Sequence, residues 1–126
     1  MQRKLDKYHF KVFSDSVDKW IGILGLKSYR IQKRFKKLRN ANADMEADTS
    51  GRVALIRLSK TWIADKPTDI HLEQTAAHET FHLLLYRLEE MAKSRSFSES
   101  DVNAEVEAIV TALTGMVGEL HSSRAW

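Results

Sequence analysis

The chain has 126 residues, a formal net charge of +3 and no cysteine. Its length suits one domain with its own core, and the lack of cysteine excludes disulfides and thiolate metal ligands. The sequence has no apolar run long enough to span a membrane, and charges interrupt the N-terminus where a signal peptide needs an apolar segment. We therefore predict a single domain over residues 1–126, located in the cytoplasm and without a membrane partner.

The N-terminal part of the chain predicts an amphipathic helix. Its apolar residues recur at the spacing of one helical face, and Gly25 follows them as a common helix stop. These residues are Phe13, Val17, Trp20, Ile21 and Leu24.

Three strands are predicted after this helix. From Ser28 to Lys36 apolar and polar residues alternate, as on a strand with one solvated face. Residues 43–48 alternate acidic and apolar side chains, and a turn at 49–51 leads into a more apolar strand at 52–59. We predict a small antiparallel sheet in which each strand pairs with the next, and the third strand could offer a free edge to an extended peptide.

Two long helices are predicted in the second half. Pro67 closes the sheet region, and Thr68 or Asp69 can cap a helix from about residue 70 to 93. After a polar linker at 93–100, a capping-box pattern precedes a continuous apolar stripe from Val102 to Leu120. Taking this stripe as buried, we predict a third helix and an α+β fold in the order helix, three strands, helix, helix.

The predicted second helix contains the segment TAAHETFHLLLYRL, residues 75–88. His78 and His82, four residues apart, project from one helical face, so their imidazoles can bind one ion. Glu79 lies about 100° round the helix and can reach a water molecule on that ion without ligating it. This HExxH spacing combines two zinc ligands with a general base. The alternative is a structural helix with two hydrogen-bonded core histidines and a surface glutamate, but burying these groups without partners costs several kcal/mol.

With this motif the chain resembles the minimal gluzincin-type zinc metallopeptidases of the ImmA/IrrE-like group. The segment HETFH matches their core motif, and EVEAIV, residues 105–110, is similar to the segment that carries their third metal ligand. The resemblance implies a zincin-like fold and a Zn²⁺ cofactor held by His78, His82 and Glu107, with Glu79 as the catalytic base. The chain differs from the family at Ile109, where the family has asparagine, and no partner domain accompanies it.

Helical periodicity alone leaves Glu105 and Glu107 open as the third ligand. Asn103 and Thr111, four residues to either side of Glu107, could hydrogen-bond its carboxylate and favour it. Three protein ligands leave one position for water, whose pKa falls to about 7 on zinc. The expected activity is therefore hydrolysis of peptide bonds in a protein or peptide substrate.

Two other groups could assist this reaction by stabilising the oxyanion. They are Tyr86, one turn after the second histidine, and His71, two turns before the first. The sequence leaves both candidates open. It also leaves open a catalytically inert zincin-fold binding module, in which zinc has a structural role.

Basic residues are concentrated in one region of the chain. Eight Lys or Arg lie between Lys19 and Arg39, and no acidic residue occurs between Asp18 and Asp44. The stretch Arg30 to Arg39 could bind nucleic acid or an acidic partner, because clustered cations attract anions. Alternatively, it is a solvated strand face that pairs with the acidic strand 43–48 across a hairpin. Nucleic-acid binding would be compatible with a protease that cleaves a DNA-bound partner.

Overall fold

The computed structural model describes residues 2–94 and 96–123, which form an α+β fold of three helices and two small sheets. No helix in these two ranges is long and apolar enough to cross a membrane. In chain order the elements are β1 (Gln2–Lys4), α1 (Lys7–Ile23), β2 (Arg30–Phe35), β3 (Ala43–Asp48), β4 (Val53–Leu58), β5 (Thr61–Ile63), α2 (Asp69–Lys93) and α3 (Glu99–Ser123).

The larger sheet has the strand order β2-β4-β3, with β4 parallel to β2 and antiparallel to β3. The predicted all-antiparallel sheet is therefore wrong, although the three strands occur where they were expected. A central strand has a hydrogen-bonded neighbour at each edge and is the least exposed strand of a sheet. This position suits β4, the most apolar of the three strands. In β4, Ala54, Ile56 and Leu58 are fully buried and the residues between them are half-buried.

This strand order also changes the position of the free sheet edges. Within the described residues, β2 and β3 each pair only with β4, so both are edge strands. The predicted free edge of the third strand does not exist, since β4 lies in the centre. Strand β3 carries an acidic side chain at every second position, and β2 carries Arg30, Lys33 and Arg34. Charged side chains are a common protection of an exposed edge.

The first helix begins earlier than its apolar pattern indicates because Asp6 caps it. The Asp6 carboxylate accepts hydrogen bonds from the backbone N–H groups of Tyr8 and His9, and the His9 ring accepts one from the Asp6 N–H. Such reciprocal bonds satisfy N–H groups that have no partner inside a helix. Just before α1, β1 pairs with β5 in a second, two-stranded sheet that the sequence pattern did not predict.

The hydrophobic core joins α1, β4 and α2. Its most completely buried side chains come from these three elements: Phe13, Val17, Ile56, Leu58, Leu72 and Leu83. The alternating pattern of β4 and the helical pattern of α1 and α2 each present one apolar face to this core. The core therefore fixes which face of α2 turns away from it, and that face carries the two histidines.

The third helix packs less completely than predicted. Of its apolar stripe, Ile109 is buried, whereas Val106, Val110 and Leu113 are 40–48% exposed. The prediction that the whole stripe forms one buried face is therefore wrong for the described side chains. The stripe spans two adjacent helix faces, and only the face of Ile109 meets the core. Val117 and Leu120 lie outside the residues whose side chains are described.

Candidate metal centre

Helix α2 positions the HExxH residues. Thr68 caps its N-terminus, where the threonine hydroxyl accepts a hydrogen bond from the His71 N–H and the His71 ring accepts one from the Thr68 N–H. One face of the helix is buried, with Ala76 and Thr80 in the core, and the Thr80 hydroxyl donates to the Ala76 carbonyl. The helix is thus fixed by its cap and by its buried face.

Both histidines lie on the exposed face of α2, while Glu79 is buried. This is the reverse of the alternative in which the histidines belong to the core and the glutamate to the surface. The cost of burying polar groups therefore applies to Glu79 and not to His78 or His82. The case for a metal now depends on the geometry of the histidine pair.

The two imidazoles approach each other through their Nε2 nitrogens, within hydrogen-bonding distance. His78 Nε2 and His82 Nε2 are 3.2 Å apart, and the rings meet edge to face with centroids 4.7 Å apart. Two nitrogens bound to one tetrahedral zinc at 2.0–2.1 Å would lie about 3.3 Å from each other. The pair therefore fits two adjacent ligand positions of a single zinc ion.

Glu79 shares a cleft with this pair. The cleft has a volume of about 370 Å³ and lies between α2 and β3, with Ala43, Asp44 and Met45 on the strand side. Burial raises the pKa of the Glu79 carboxyl group, and the neighbouring histidines oppose this rise when they are charged. A carboxylate with a raised pKa accepts protons more readily, as a general base must.

The structure does not bring Glu107 to the histidines. Glu107 is exposed on α3 and does not line the cleft. Glu105 lines a different cavity, together with Leu83 and Leu84, which lie about 120–140° round α2 from the midpoint of the two histidines. Among the described residues, no group of three His, Asp or Glu side chains could hold a metal ion. Two ligands of the predicted set therefore fit zinc, and the third stays a prediction.

Two acidic residues that the sequence interpretation missed lie at the cleft. Glu89 Oε1 is 4.0 Å from His82 Nδ1, the ring nitrogen that faces away from His78. A carboxylate in this position can orient a metal-bound histidine. Asp44 is held by Arg57 through contacts of 2.6 and 2.7 Å. The seven-residue spacing from His82 to Glu89 could have indicated the first of these, because seven residues make about two helical turns.

The cleft continues past the histidines into a second cavity of about 690 Å³. The two share Ala43, His78 and Glu79, so they adjoin at His78 and form one trough. Tyr86 lines the first part and His71 the second, which keeps both oxyanion candidates near the site. His71 Nδ1 is engaged in the cap of α2, whereas Tyr86 directly borders the cleft with the histidines.

The basic stretch 30–39 does not pair with the acidic strand. Asp44 and Glu46 of β3 contact Arg57 of the central strand, because β3 pairs with β4 and not with β2. The predicted neutralisation across a hairpin is therefore wrong. In the described part of the chain Lys33 pairs with Asp18 of α1, and the exposed basic residues of the stretch are Arg30, Arg34, Lys36, Lys37 and Arg39.

Comparisons with known proteins add no relative to this geometry. A scan against protein-family models, a search of curated proteins and a search of solved structures each found no match.

Proposed function

We propose that the protein is a zinc-dependent metalloendopeptidase with a zincin-like arrangement and Glu79 as its general base. The observation that carries this proposal is the 3.2 Å separation of the His78 and His82 Nε2 atoms beside a buried glutamate. Strand β3, which lines the cleft opposite α2, also supports the proposal. The cytoplasm is the proposed compartment, because a chain without cysteine needs no oxidising environment.

The chain's own residues account for the proton transfers of peptide hydrolysis. His78 and His82 would hold zinc, which when bound polarises a carbonyl group and makes water more acidic. Glu79 can take the proton of the attacking water and then pass it to the leaving amine, which is the stronger base. Tyr86, at the edge of the cleft, can donate a hydrogen bond to the developing oxyanion.

The edge strand β3 is the part of the protein that can hold a peptide substrate. It lines the cleft and is paired on one side only within the described residues. An extended peptide added along this edge would form main-chain hydrogen bonds and would bind with little sequence selectivity. The trough on both sides of the histidine pair leaves room for substrate residues before and after the cleaved bond, as an endopeptidase requires.

For the third ligand we retain Glu107, on the similarity of EVEAIV to the segment of the resembled family. As α3 lies in the structure, Glu107 would reach the ion only if the helix moved.

The substitution Glu79→Gln tests the proposal, because it keeps the size of the side chain and removes the base. We expect the variant to bind zinc like the wild type and to lose hydrolysis of an unfolded protein substrate by at least about a hundredfold. Glu73→Gln, at an exposed position of the same helix, is the matched control and should stay active. Zinc binding without hydrolysis by the wild type would instead support an inert binding module.

The exposed basic stretch supports a second candidate function, a nucleic-acid-associated protease that cleaves a DNA-bound partner. Its support is that β3 does not neutralise the stretch. We expect DNA binding that weakens with salt and with Arg34→Ala or Lys36→Ala, at all sequences alike. Lys11→Ala is the control, because Lys11 pairs with Asp15 on α1. Binding that ignores the first two substitutions would exclude this role of the stretch.

A further inference from the structure

A third cavity, of about 600 Å³, lies on the other side of α2 from the histidines. The loop after α1, the turn between β3 and β4, α2 and α3 enclose it. Its inner wall is apolar and includes Leu24, Leu83 and Ile109, which are buried. Its volume falls in the range typical of small-molecule sites.

Tyr29 lines this cavity with a hydroxyl group that can bind a ligand, although most of its side chain is buried. Tyr29 is only 7% exposed, yet no described residue hydrogen-bonds its hydroxyl group. No buried side-chain oxygen in the described residues lacks a partner, so this hydroxyl must reach the open space of the cavity. A buried tyrosine usually has a hydrogen-bond partner, and here a bound ligand can supply one.

Two arginines and one glutamate line this cavity together with Tyr29. The Arg52 guanidinium lies 4.1 Å from the centre of the Tyr29 ring and donates to the Ser28 hydroxyl. The Arg87 guanidinium lies 5.0 Å from the centre of the Phe97 ring. Both arginines line the cavity, and neither forms an ion pair with a described residue.

Glu105, half-buried, supplies a negative charge to the same cavity. Burial raises the pKa of Tyr29; Arg52 and Arg87 act to lower it, and Glu105 and Glu90 act to raise it further. The lining of the cavity therefore carries both signs of charge, with Arg52 and Arg87 positive and Glu105 negative. An anion alone would pair with the arginines but leave Glu105 without a partner, and a cation alone would leave both arginines without one. A ligand that carries both charges would complement the cavity.

We propose that this cavity binds a short apolar peptide with free termini. Its carboxylate would meet Arg52 and Arg87, which offer planar, bidentate donors. Its ammonium group would meet Glu105, and its side chains would cover the apolar wall formed by Leu24, Leu83 and Ile109. The cavity is larger than a single amino acid requires, which favours a dipeptide or tripeptide. The site is separate from the HExxH cleft and does not depend on the proposed hydrolysis.

Isothermal titration with leucyl-leucine, its C-terminal amide and its N-acetyl derivative tests this proposal. We expect saturable binding of the free dipeptide, and binding at least about tenfold weaker for each blocked form, because each loses a charge-assisted contact. Arg87→Gln should weaken the free dipeptide about as much as amidation does and should not weaken the amide further. Glu105→Gln should weaken binding of the free dipeptide about as much as N-acetylation does. It should not weaken binding of the N-acetyl derivative further.

Two control variants keep the result specific to this cavity. Arg34→Gln removes an exposed arginine of β2 outside the cavity, and His78→Ala removes a residue of the HExxH cleft. Both should bind the dipeptide like the wild type. If Arg87→Gln does not fold, as judged by circular dichroism, Arg52→Gln takes its place. Equal affinity for the three probes, no saturation by the wild type at about 10 mM, or loss of binding in His78→Ala would overturn the proposal.

Discussion

At the scale of single residues, the histidine pair of α2 depends on local geometry alone. Residues four apart on a helix lie about 40° apart round its axis and one turn apart along it. The two Nε2 atoms meet at 3.2 Å with no help from another element. The burial of Glu79 is different, because it depends on β3 lying opposite the helix.

The role of Glu107 can be tested by residue-scale substitutions on α3. We expect Glu107→Ala to weaken zinc binding at least about tenfold, because a lost ligand removes a direct metal bond. Glu105→Ala should leave zinc affinity nearly unchanged, since Glu105 lines the cavity behind α2. The measurement is zinc content after dialysis at a series of free zinc concentrations.

Glu89→Ala tests whether the acidic residue that lies beside His82 in the structure contributes to zinc binding. Glu89 lies nearest to the outer nitrogen of His82 among the acidic residues that contact the pair. Wild-type affinity in Glu107→Ala would show that α3 does not supply the third ligand, and a loss of affinity in Glu89→Ala would show that Glu89 orients His82.

At the scale of elements, α3 is the helix whose packing departs most from its sequence pattern. Ile109 and Val110 are neighbours of similar size, but Ile109 is 7% exposed and Val110 is 48% exposed. Ile109→Ala should lower the free energy of unfolding by about 2–4 kcal/mol, because it leaves a cavity in the core. Val110→Ala should change it by less than about 0.5 kcal/mol. Urea unfolding of both variants gives these values, and equal losses would mean that the whole stripe is buried.

The pairing of β3 with β4 includes a charged pair in register. Asp44 lies opposite Arg57, whose side chain is 19% exposed, and two short contacts join them. We expect Asp44→Ala to lower the free energy of unfolding by about 0.5–1 kcal/mol, as a cross-strand pair of opposite charge does. Glu46→Ala removes a longer and more exposed contact to the same arginine and should have almost no effect. Thermal or urea unfolding that ranks the two variants in the opposite order would contradict the register.

At the scale of the whole molecule, metal binding should be visible as stability. A ligand that binds only the folded chain stabilises it by mass action, by about 2.7 kcal/mol at a hundredfold excess over its Kd. For a domain of this size we expect zinc to raise Tm by roughly 10 °C, and a chelator to reverse the change. Differential scanning calorimetry measures the shift. The variant with both His78→Ala and His82→Ala should melt at one temperature in zinc and in chelator, and a zinc shift that survives there would place the ion elsewhere.

Much of the element plan follows from the sequence because it depends on near neighbours. The apolar period of α2, its threonine cap and the alternation in residues 43–48 predicted those elements close to their observed bounds. The HExxH face needed only the helical step to bring His78 to His82. The start of α1 depends on a single residue, Asp6, whose capping side chain lies outside the apolar pattern of the helix.

The tertiary structure decided everything that depends on partners distant in the chain. The same three strands could form a meander or the observed order β2-β4-β3. The observed order places β4, the most apolar and most buried strand, in the centre of the sheet. The apolar stripe of α3 offered two faces to the core, and only contacts with α1 and α2 selected the one with Ile109. The sequence alone therefore determined which residues share a face of each element, whereas packing determined which of those faces meet. Local periodicity encodes the first property, and the second arises from the burial of apolar surface by segments far apart in the chain.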